Sequence, residues 1–259
     1  MEHIYRFSES EILAFALVLL RISAFVVAWP IFGIENVPAP VKILFSLIVT
    51  VVLFPVIEWK GIQAGFDSPV LIFLAVKEVF IGLVFGFLAK MFFMAIQMAG
   101  ELISISIGLS GAQLYNPAMG GQSSSVDTFI YSLASLFFLA INGHHLFITG
   151  LVDTFRILPL NPSSLSMLTF SAMGPFVQEI ISIGIRLSAP VMIAILVVNL
   201  VMGILGKTVP QINVLVTSLT VNIMVGFVVL IVALPVMMAE MPDLLEISAS
   251  RLFQIMRAF

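Results

Sequence analysis

Six long stretches of apolar residues run along the chain, separated by short polar breaks. The stretches are Ile12–Ile34, Val41–Ile57, Val70–Gly100, Phe129–Val152, Phe176–Leu205 and Ile212–Met238. A helix that crosses a bilayer needs about 20 consecutive apolar residues, so the pattern predicts six membrane-spanning helices. The second stretch is short for a span and the third is long, which predicts that some of these helices tilt or kink.

Prolines interrupt several of these stretches. Pro30, Pro55, Pro190 and Pro235 lie within them or at their ends. Each proline removes one helical hydrogen bond, and in a membrane the freed carbonyl must find another partner in neighbouring helices. The sequence therefore predicts an all-α fold of broken or kinked helices that pack against partners.

Composition places the chain in a hydrophobic environment. Of its 259 residues, 61% are hydrophobic and only 10% are charged, and the mean hydropathy is +1.19. A soluble globular domain has about 25% charged residues, and a disordered chain has few apolar ones, so both classes are excluded. The net charge of -3 provides no basic surface for nucleic acid, and no nucleic-acid partner is predicted.

The residues that carry most metal and redox chemistry are scarce. The chain has no cysteine and three histidines, which excludes disulfides and thiolate nucleophiles. His144 and His145 are adjacent, but neighbouring helical residues point about 100° apart and no carboxylate follows at the next turn. We therefore predict no metal and no cofactor. Ser110 and the run 123–125 have no paired base in the sequence, which disfavours an intramembrane enzyme.

Five charged residues interrupt otherwise apolar runs: Lys77, Glu78, Lys90, Glu101 and Arg186. An ionisable group in lipid costs at least a few kcal/mol, so each of these side chains should face protein or water. Lys90 and Glu101 would lie on one face of an unbroken helix, about 16 Å apart along its axis. They could line a proton or ion pathway or form salt bridges between subunits. The second interpretation is favoured, because proton relays usually contain chains of acidic or histidine side chains.

The stretch from Ser104 to Ser125, with the sequence SISIGLSGAQLYNPAMGGQSSS, contains no charge and is rich in glycine around a central Asn-Pro. Such a segment is a poor membrane-spanning helix, so its backbone must be buried in protein or line a cavity. Its adaptable glycine, methionine and leucine residues could form a deformable stopper in a pore. An ordinary connection outside the membrane is equally compatible with the sequence.

The C-terminal part of the chain has the pattern of a helical hairpin. Two long apolar arms flank a turn at residues 206–213, which contains glycine and proline. Asn199 and Asn222 lie in opposite arms, and both can hydrogen-bond across helices. Gly203 and Gly206 would allow close contact. A stack of similar hairpins from other chains would bury both faces.

Three segments together carry a resemblance to a known family. They are Gly100-Glu101 leading into GLSGAQLYNPAMGG, the segment INGHHLFITGLVDTFRILPL, and Pro210-Gln211-Ile212-Asn213-Val214 following Leu187-Ser188-Ala189-Pro190. In these motifs and in the layout of its spans, the chain resembles the FliR/SctT family of type III secretion export-gate subunits. The resemblance implies membrane-derived kinked helical hairpins, with a FliP-like part over residues 1–174 and a FliQ-like hairpin and tail over residues 175–259.

The resemblance implies a non-enzymatic core subunit of an export gate, and a flagellar gate is favoured over a virulence injectisome. One copy would assemble with FliP-type and FliQ-type subunits into a helical channel for unfolded flagellar proteins. The gate would belong to the flagellar basal body in the bacterial inner membrane, largely at or above its periplasmic side. The five charged residues named above would then lie at subunit interfaces.

The resemblance also matches residues 106–122 to the family's plug, which closes the channel until substrate passes. It therefore favours the stopper over the ordinary connection. The plug residues that it implies are Ile107, Gly108, Leu109, Ser110, Gly111, Leu114, Tyr115, Asn116, Pro117, Met119, Gly120 and Gly121.

The turn with Lys207, Pro210, Gln211 and Asn213 resembles the FliQ-like tip, which implies contact with an FlhB-type switch protein at the cytoplasmic entrance. Counting Lys and Arg in the loops between six spans places this turn on the side of the membrane opposite the cytoplasm. The resemblance takes precedence, because apolar stretches need not be true spans in a gate assembled above the membrane plane.

A secondary transporter for a small solute or ion is the second function class compatible with the sequence. Lys77, Lys90, Glu101 and Arg186 in apolar stretches, together with the interrupted helices, favour it. Such transporters usually contain paired halves, and the sequence has no such pairing. The export gate is therefore the preferred hypothesis.

Overall fold

The computed structural model describes residues 8–30, 37–57, 59, 69–109, 125–160, 170–209, 211 and 213–257. Within these residues every regular element is helical, as the sequence predicted. The α-helices are α1 (Glu9–Ala28), α2 (Ala39–Leu53), α3 (Pro69–Ile107), α4 (Ser125–Ala140), α5 (Gly143–Ile157), α6 (Phe170–Thr208) and α7 (Val214–Arg257). A short 3-10 helix, Phe54–Val56, extends α2.

Five helices are long and apolar enough to cross a membrane, and α4 and α5 together count as a sixth, bent candidate. Five of the six predicted spans therefore have a continuous helix. The fourth, Phe129–Val152, is divided into two helices, because α4 ends at Ala140 and α5 begins at Gly143, and the pair passes only together as a bent candidate span. Asn142 between them has a φ of 58°, a left-handed conformation that interrupts a helix and that asparagine tolerates better than most residues.

Two helix ends differ from the hydropathy pattern. α3 is one α-helix of 39 residues, and its last turn includes Ser104 to Ile107, which the sequence analysis assigned to an irregular stretch. α7 continues to Arg257, well beyond the predicted end at Met238. The hydropathy pattern did not predict these two helix ends, because a helix continues past its apolar stretch whenever its backbone hydrogen bonds remain satisfied. The prolines at 190 and 235 do lie inside helices, as predicted.

One compact unit comprises residues 1–91, 143–174 and 247–259. In it α3 packs closely on α1, since a Cβ atom at Gly82 would lie 2.3 Å from the carbonyl oxygen of Arg21. Gly86, four residues later, is equally close to the Cβ of Ala28, at 2.5 Å. These two glycines, spaced four residues apart, thus let the helices approach as no larger residue would allow.

Helix α2 packs against α1 in the same unit and has an inverted amphipathic pattern. Its buried residues are Ser46 and Thr50, whereas its large apolar side chains are mostly exposed. Both hydroxyl groups donate to the carbonyl oxygen one turn earlier, at 2.8 and 2.7 Å, so burial leaves no unsatisfied donor. Small polar residues inside and apolar residues outside are typical of a helix in a membrane.

The second unit comprises residues 92–142 and 175–246. Its core contains an aromatic cluster in which the ring of Phe93 lies 5.1 Å from Phe138 and 5.8 Å from Tyr131. Both units are discontinuous along the sequence. The division into a FliP-like part over residues 1–174 and a FliQ-like part over residues 175–259 stays a prediction.

Helices α6 and α7 form the predicted hairpin in the second unit. The Asn222 side-chain amide donates to the Asn199 side-chain oxygen at 2.9 Å, so the two asparagines hydrogen-bond across helices, as predicted, and are each other's partners. A Cβ atom at Gly206 would lie 2.6 Å from the Val214 side chain, so this glycine permits close contact near the turn. Gly203 has no such role within the described part of the chain, because nothing lies within 4 Å of its Cβ position.

Candidate functional site

A buried ion pair joins α1 and α3 in the first unit. The Nε of Arg21 donates to Oε2 of Glu78 at 2.5 Å, and both side chains are 0% exposed. A buried charge is costly unless it is paired and hydrogen-bonded, and this pair gives both residues a partner of opposite charge. The burial of Glu78 therefore comes from this chain alone and needs no neighbouring subunit.

The guanidinium group of Arg21 also binds α5 and the residues that follow it. Nη2 donates to the carbonyl oxygen of Leu158 at 2.8 Å, and Nη1 donates to the Thr154 hydroxyl at 3.3 Å. The Phe155 ring lies 4.1 Å from the guanidinium carbon, within range of a cation–π interaction. One arginine side chain thus holds three helices together.

Lys77 reinforces the same junction. It is 2% exposed, and its Nζ donates to the carbonyl oxygen of Pro159 at 3.2 Å. The two cations together therefore bind consecutive carbonyl groups, those of Leu158 and Pro159, just beyond the end of α5. We name Arg21, Lys77, Glu78 and Thr154 the buried charge cluster. Its arrangement suits the anchoring of α5.

Arg21 was not among the residues predicted from the sequence, although the sequence contains a signal for it. Arg21 interrupts the apolar stretch Ile12–Ile34 in the same way that Lys77 and Glu78 interrupt the third stretch. An intramembrane charge is a candidate for a buried partner wherever it occurs. Among the described residues, Oε1 of Glu78 has no hydrogen-bond partner, so the carboxylate is satisfied on one oxygen only.

The other three predicted interface charges lie on the surface of the chain. Lys90 and Glu101 are exposed on α3, and Arg186 is exposed on α6. None of the three forms an ion pair within the part of the chain that the structure describes. α3 is unbroken between Lys90 and Glu101, so both belong to one exposed stripe that recurs every three or four residues, at positions 83, 87, 90, 94, 97, 101 and 105.

Only the beginning of the predicted plug lies among the described residues. Ile107 is the last residue of α3, and Gly108 follows it with a φ of 92°. The N–H groups of Gly108 and Leu109 both donate to the Ser104 carbonyl oxygen at 3.1 Å, a glycine-based helix end. The remaining predicted plug residues lie outside the described residues: Ser110, Gly111, Leu114, Tyr115, Asn116, Pro117, Met119, Gly120 and Gly121.

The predicted partner-facing turn lies between α6 and α7, at the end of the hairpin. Lys207, Gln211 and Asn213 are exposed there, and Pro210 lies outside the described residues. Asn213 also begins α7, since its side-chain oxygen accepts the N–H of Val216 at 3.4 Å. Asparagine at this position is therefore explained by the helix start, while contact with a partner stays a prediction.

The histidine pair lies at the start of α5, directly after the break at Asn142. The rings of His144 and His145 are 4.2 Å apart, and Nδ1 of His144 is buried with no hydrogen-bond partner among the described residues. Within the described ranges no group of three or more potential ligands could hold a metal ion. The pair therefore gives no support to a metal centre.

Comparison with known proteins gives a consistent result over most of the chain. Residues 12–247 match the family described as bacterial export proteins, family 1. The chain is 37% identical over 226 residues to the flagellar biosynthetic protein FliR of Bacillus subtilis, covering 86% of each chain. It is 32% identical to FliR of Escherichia coli, covering 84% of this chain and 82% of that one.

FliR of Caulobacter vibrioides is 30% identical over 224 residues, covering 85% of this chain and 87% of that one. The matched residues contain the buried charge cluster, the end of α3 and the hairpin turn. The chain therefore belongs to family 1 of the bacterial export proteins, together with the flagellar biosynthetic proteins FliR, and is a membrane component of flagellar protein export.

Proposed function

We propose that this chain is a core subunit of the flagellar protein export gate. One copy assembles with FliP-type and FliQ-type subunits into a helical channel through which unfolded flagellar proteins pass. The observation that carries the proposal is the family match over residues 12–247 in a chain with five or six candidate membrane helices. The chain acts as a channel component rather than as an enzyme.

The apolar surface of the hairpin supports assembly with other subunits. Large side chains around α6 and α7 are between 60% and 77% exposed, including Ile193, Leu196, Leu200, Ile204, Leu215, Met224, Ile231 and Val232. A surface with this many exposed apolar side chains must be covered by lipid or by other apolar helices. Neighbouring hairpins of the same kind would cover it on both sides.

The exposed charges on these apolar helices favour protein over lipid as the covering. Lys90, Glu101 and Arg186 are exposed, and each would cost several kcal/mol if it faced hydrocarbon. Partner subunits that carry groups of opposite charge at matching positions would remove this cost. The interface role of these three residues rests on that argument.

Residues 106–122 form the plug in this proposal. The segment carries no charge and has glycine at four positions, 108, 111, 120 and 121, which suits a closure that must deform when a substrate passes. The turn at Lys207–Asn213 contacts an FlhB-type switch protein. The assembled gate lies in the bacterial inner membrane within the basal body, largely at or above the periplasmic side.

A co-purification experiment in the native host tests the proposed interfaces. We expect Glu101→Ala and Arg186→Ala to reduce recovery of the partner subunits, because each leaves a buried partner charge without its counterpart. Gln178→Ala is the matched control, since Gln178 is exposed and uncharged on the same helix as Arg186. Swimming of a host that lacks its own copy reports function. Normal recovery with lost swimming would favour a transport pathway along these residues.

A further inference from the structure

The end of α3 is held against α7 by a side chain that enters a glycine position. Ile107 is 0% exposed, and a Cβ atom at Gly226 would lie 2.4 Å from its Cγ1 atom and 2.8 Å from its Cδ1 atom. Both residues belong to the second unit. The backbone of α7 at Gly226 is therefore part of the surface that the isoleucine contacts, and no larger residue fits without displacing it.

The next residue makes a second contact with the same helix. A Cβ atom at Gly108 would lie 2.7 Å from Cδ1 of Leu219, and Gly108 has a φ of 92° that disfavours other residues independently of space. Leu219 and Gly226 are seven residues apart, which places them on one face of α7 two turns from each other. We name Leu219 and Gly226 the α7 seat.

Local helix stability does not explain a glycine at position 226. Glycine is among the least favourable residues in a helix interior, and α7 extends far on both sides of it. Gly203 in α6 provides the contrast, because nothing lies within 4 Å of its Cβ position. At Gly226, in contrast, a Cβ atom would overlap the Ile107 side chain, so packing explains the glycine there.

We propose that the α7 seat positions the point at which the chain leaves α3, and that Ile107 and Gly226 are positioning residues for closure of the export channel. This inference rests on the proposed function, in which the segment that begins here is the plug. Movement of α7 would then be transmitted to the end of α3 through a packed contact. The hairpin and the plug would thus be mechanically coupled within one chain.

The test measures the position of the end of α3 in the purified native complex. The chain has no natural cysteine, so Ser106→Cys introduces a single thiol one residue before Ile107. We expect Gly226→Ala to raise its maleimide labelling rate by roughly tenfold, a factor that corresponds to about 1.4 kcal/mol and lies within the usual cost of overpacking. Gly203→Ala, which adds the same methyl group in open space, should leave the rate unchanged.

A second variant separates loss of this contact from general damage. Ile107→Ala removes all three atoms that a Cβ at position 226 would approach within 3.4 Å, so it should raise the labelling rate on its own. Because both changes break the same contact, Gly226→Ala combined with Ile107→Ala should label no faster than the faster of the two single variants. A double variant whose labelling rate rises by the product of the two single effects, or unchanged labelling in Gly226→Ala alone, would contradict the positioning role of the α7 seat.

Ion leak through membranes that contain the same complexes distinguishes this inference from the proposed function. If deletion of the plug causes leak and Gly226→Ala raises both labelling and leak, both proposals are supported. If the plug deletion causes ion leak but Gly226→Ala changes neither labelling nor leak, only the positioning role of the α7 seat is contradicted. If Gly226→Ala changes the labelling rate but neither it nor the plug deletion causes ion leak, the contact between Ile107 and the α7 seat is supported. Its role in channel closure is then contradicted, and so is the proposed plug.

Discussion

Replacing Arg21 with Met is expected to destabilise the protein by about 3–5 kcal/mol, the usual cost of breaking a buried ion pair from one side. The change leaves the Glu78 carboxylate buried without a counter-charge, since it is 0% exposed and its pairing partner is Arg21. It also removes the donors to Thr154 and to the Leu158 carbonyl oxygen, so the attachment of α5 is weakened at the same time and keeps the bond from Lys77 to the Pro159 carbonyl oxygen.

Thermal unfolding in mild detergent, together with the folded fraction recovered from membranes, measures this effect. The double variant Arg21→Met with Glu78→Leu should regain much of the loss, because an apolar pair of similar volume carries no unpaired charge. Asp153→Asn is the control, since the Asp153–Arg156 pair is 42% and 66% exposed and such pairs contribute little. Equal stability of Arg21→Met and Asp153→Asn would show that the buried charge cluster does not hold the first unit together.

Deleting residues 108–120 is expected to make the membrane permeable to small ions while the complex still assembles. A plug contributes closure more than packing, so its loss should open the channel without removing subunit contacts. Ion flux into vesicles that contain the purified complex measures the leak, and native electrophoresis measures assembly. Replacing the same residues by an equal length of Gly and Ser is the control for chain connection, and we expect it to leak as well because it removes Leu114, Tyr115 and Met119.

The outcome that contradicts this prediction is a complex that fails to assemble while ion permeability stays normal. The segment would then serve packing between subunits rather than closure. The other interpretation in the sequence analysis, an ordinary connection, would predict normal permeability and normal assembly in both variants.

The helical hairpin could be predicted from the sequence, together with the need of its two asparagines for hydrogen-bond partners. Two apolar arms around a Gly- and Pro-containing turn define the hairpin, and the asparagines in opposite arms are polar groups that need a partner in an apolar setting. The structure meets that need with a hydrogen bond between Asn199 and Asn222. The turn determines this pairing, because it fixes which residues of the two arms lie opposite each other.

The break between α4 and α5 could not be predicted from hydropathy. The fourth apolar stretch continues through Asn142 and Gly143, and a hydropathy average contains no information on backbone direction. The signal was in the residue types, since an Asn-Gly pair is a strong turn former. These two residue types, and not the hydropathy average, indicate that the stretch divides at this point.

Ion pairs between residues that are far apart along the chain could not be predicted from the sequence. Arg21 and Glu78 are 57 positions apart, and no periodicity connects α1 with α3. The exposed stripe that contains Lys90 and Glu101 could be placed on one helix face, but what covers it depends on other chains. A single sequence specifies which groups need partners and leaves open which partners they find.

Native mass spectrometry of the tagged chain, extracted in mild detergent from its own host, tests whether the chain is a subunit of an export gate. We expect a complex with one copy of this chain and several copies of two smaller hydrophobic proteins. Recovery of the chain alone or as a homo-oligomer would contradict the export-gate proposal and favour a transporter.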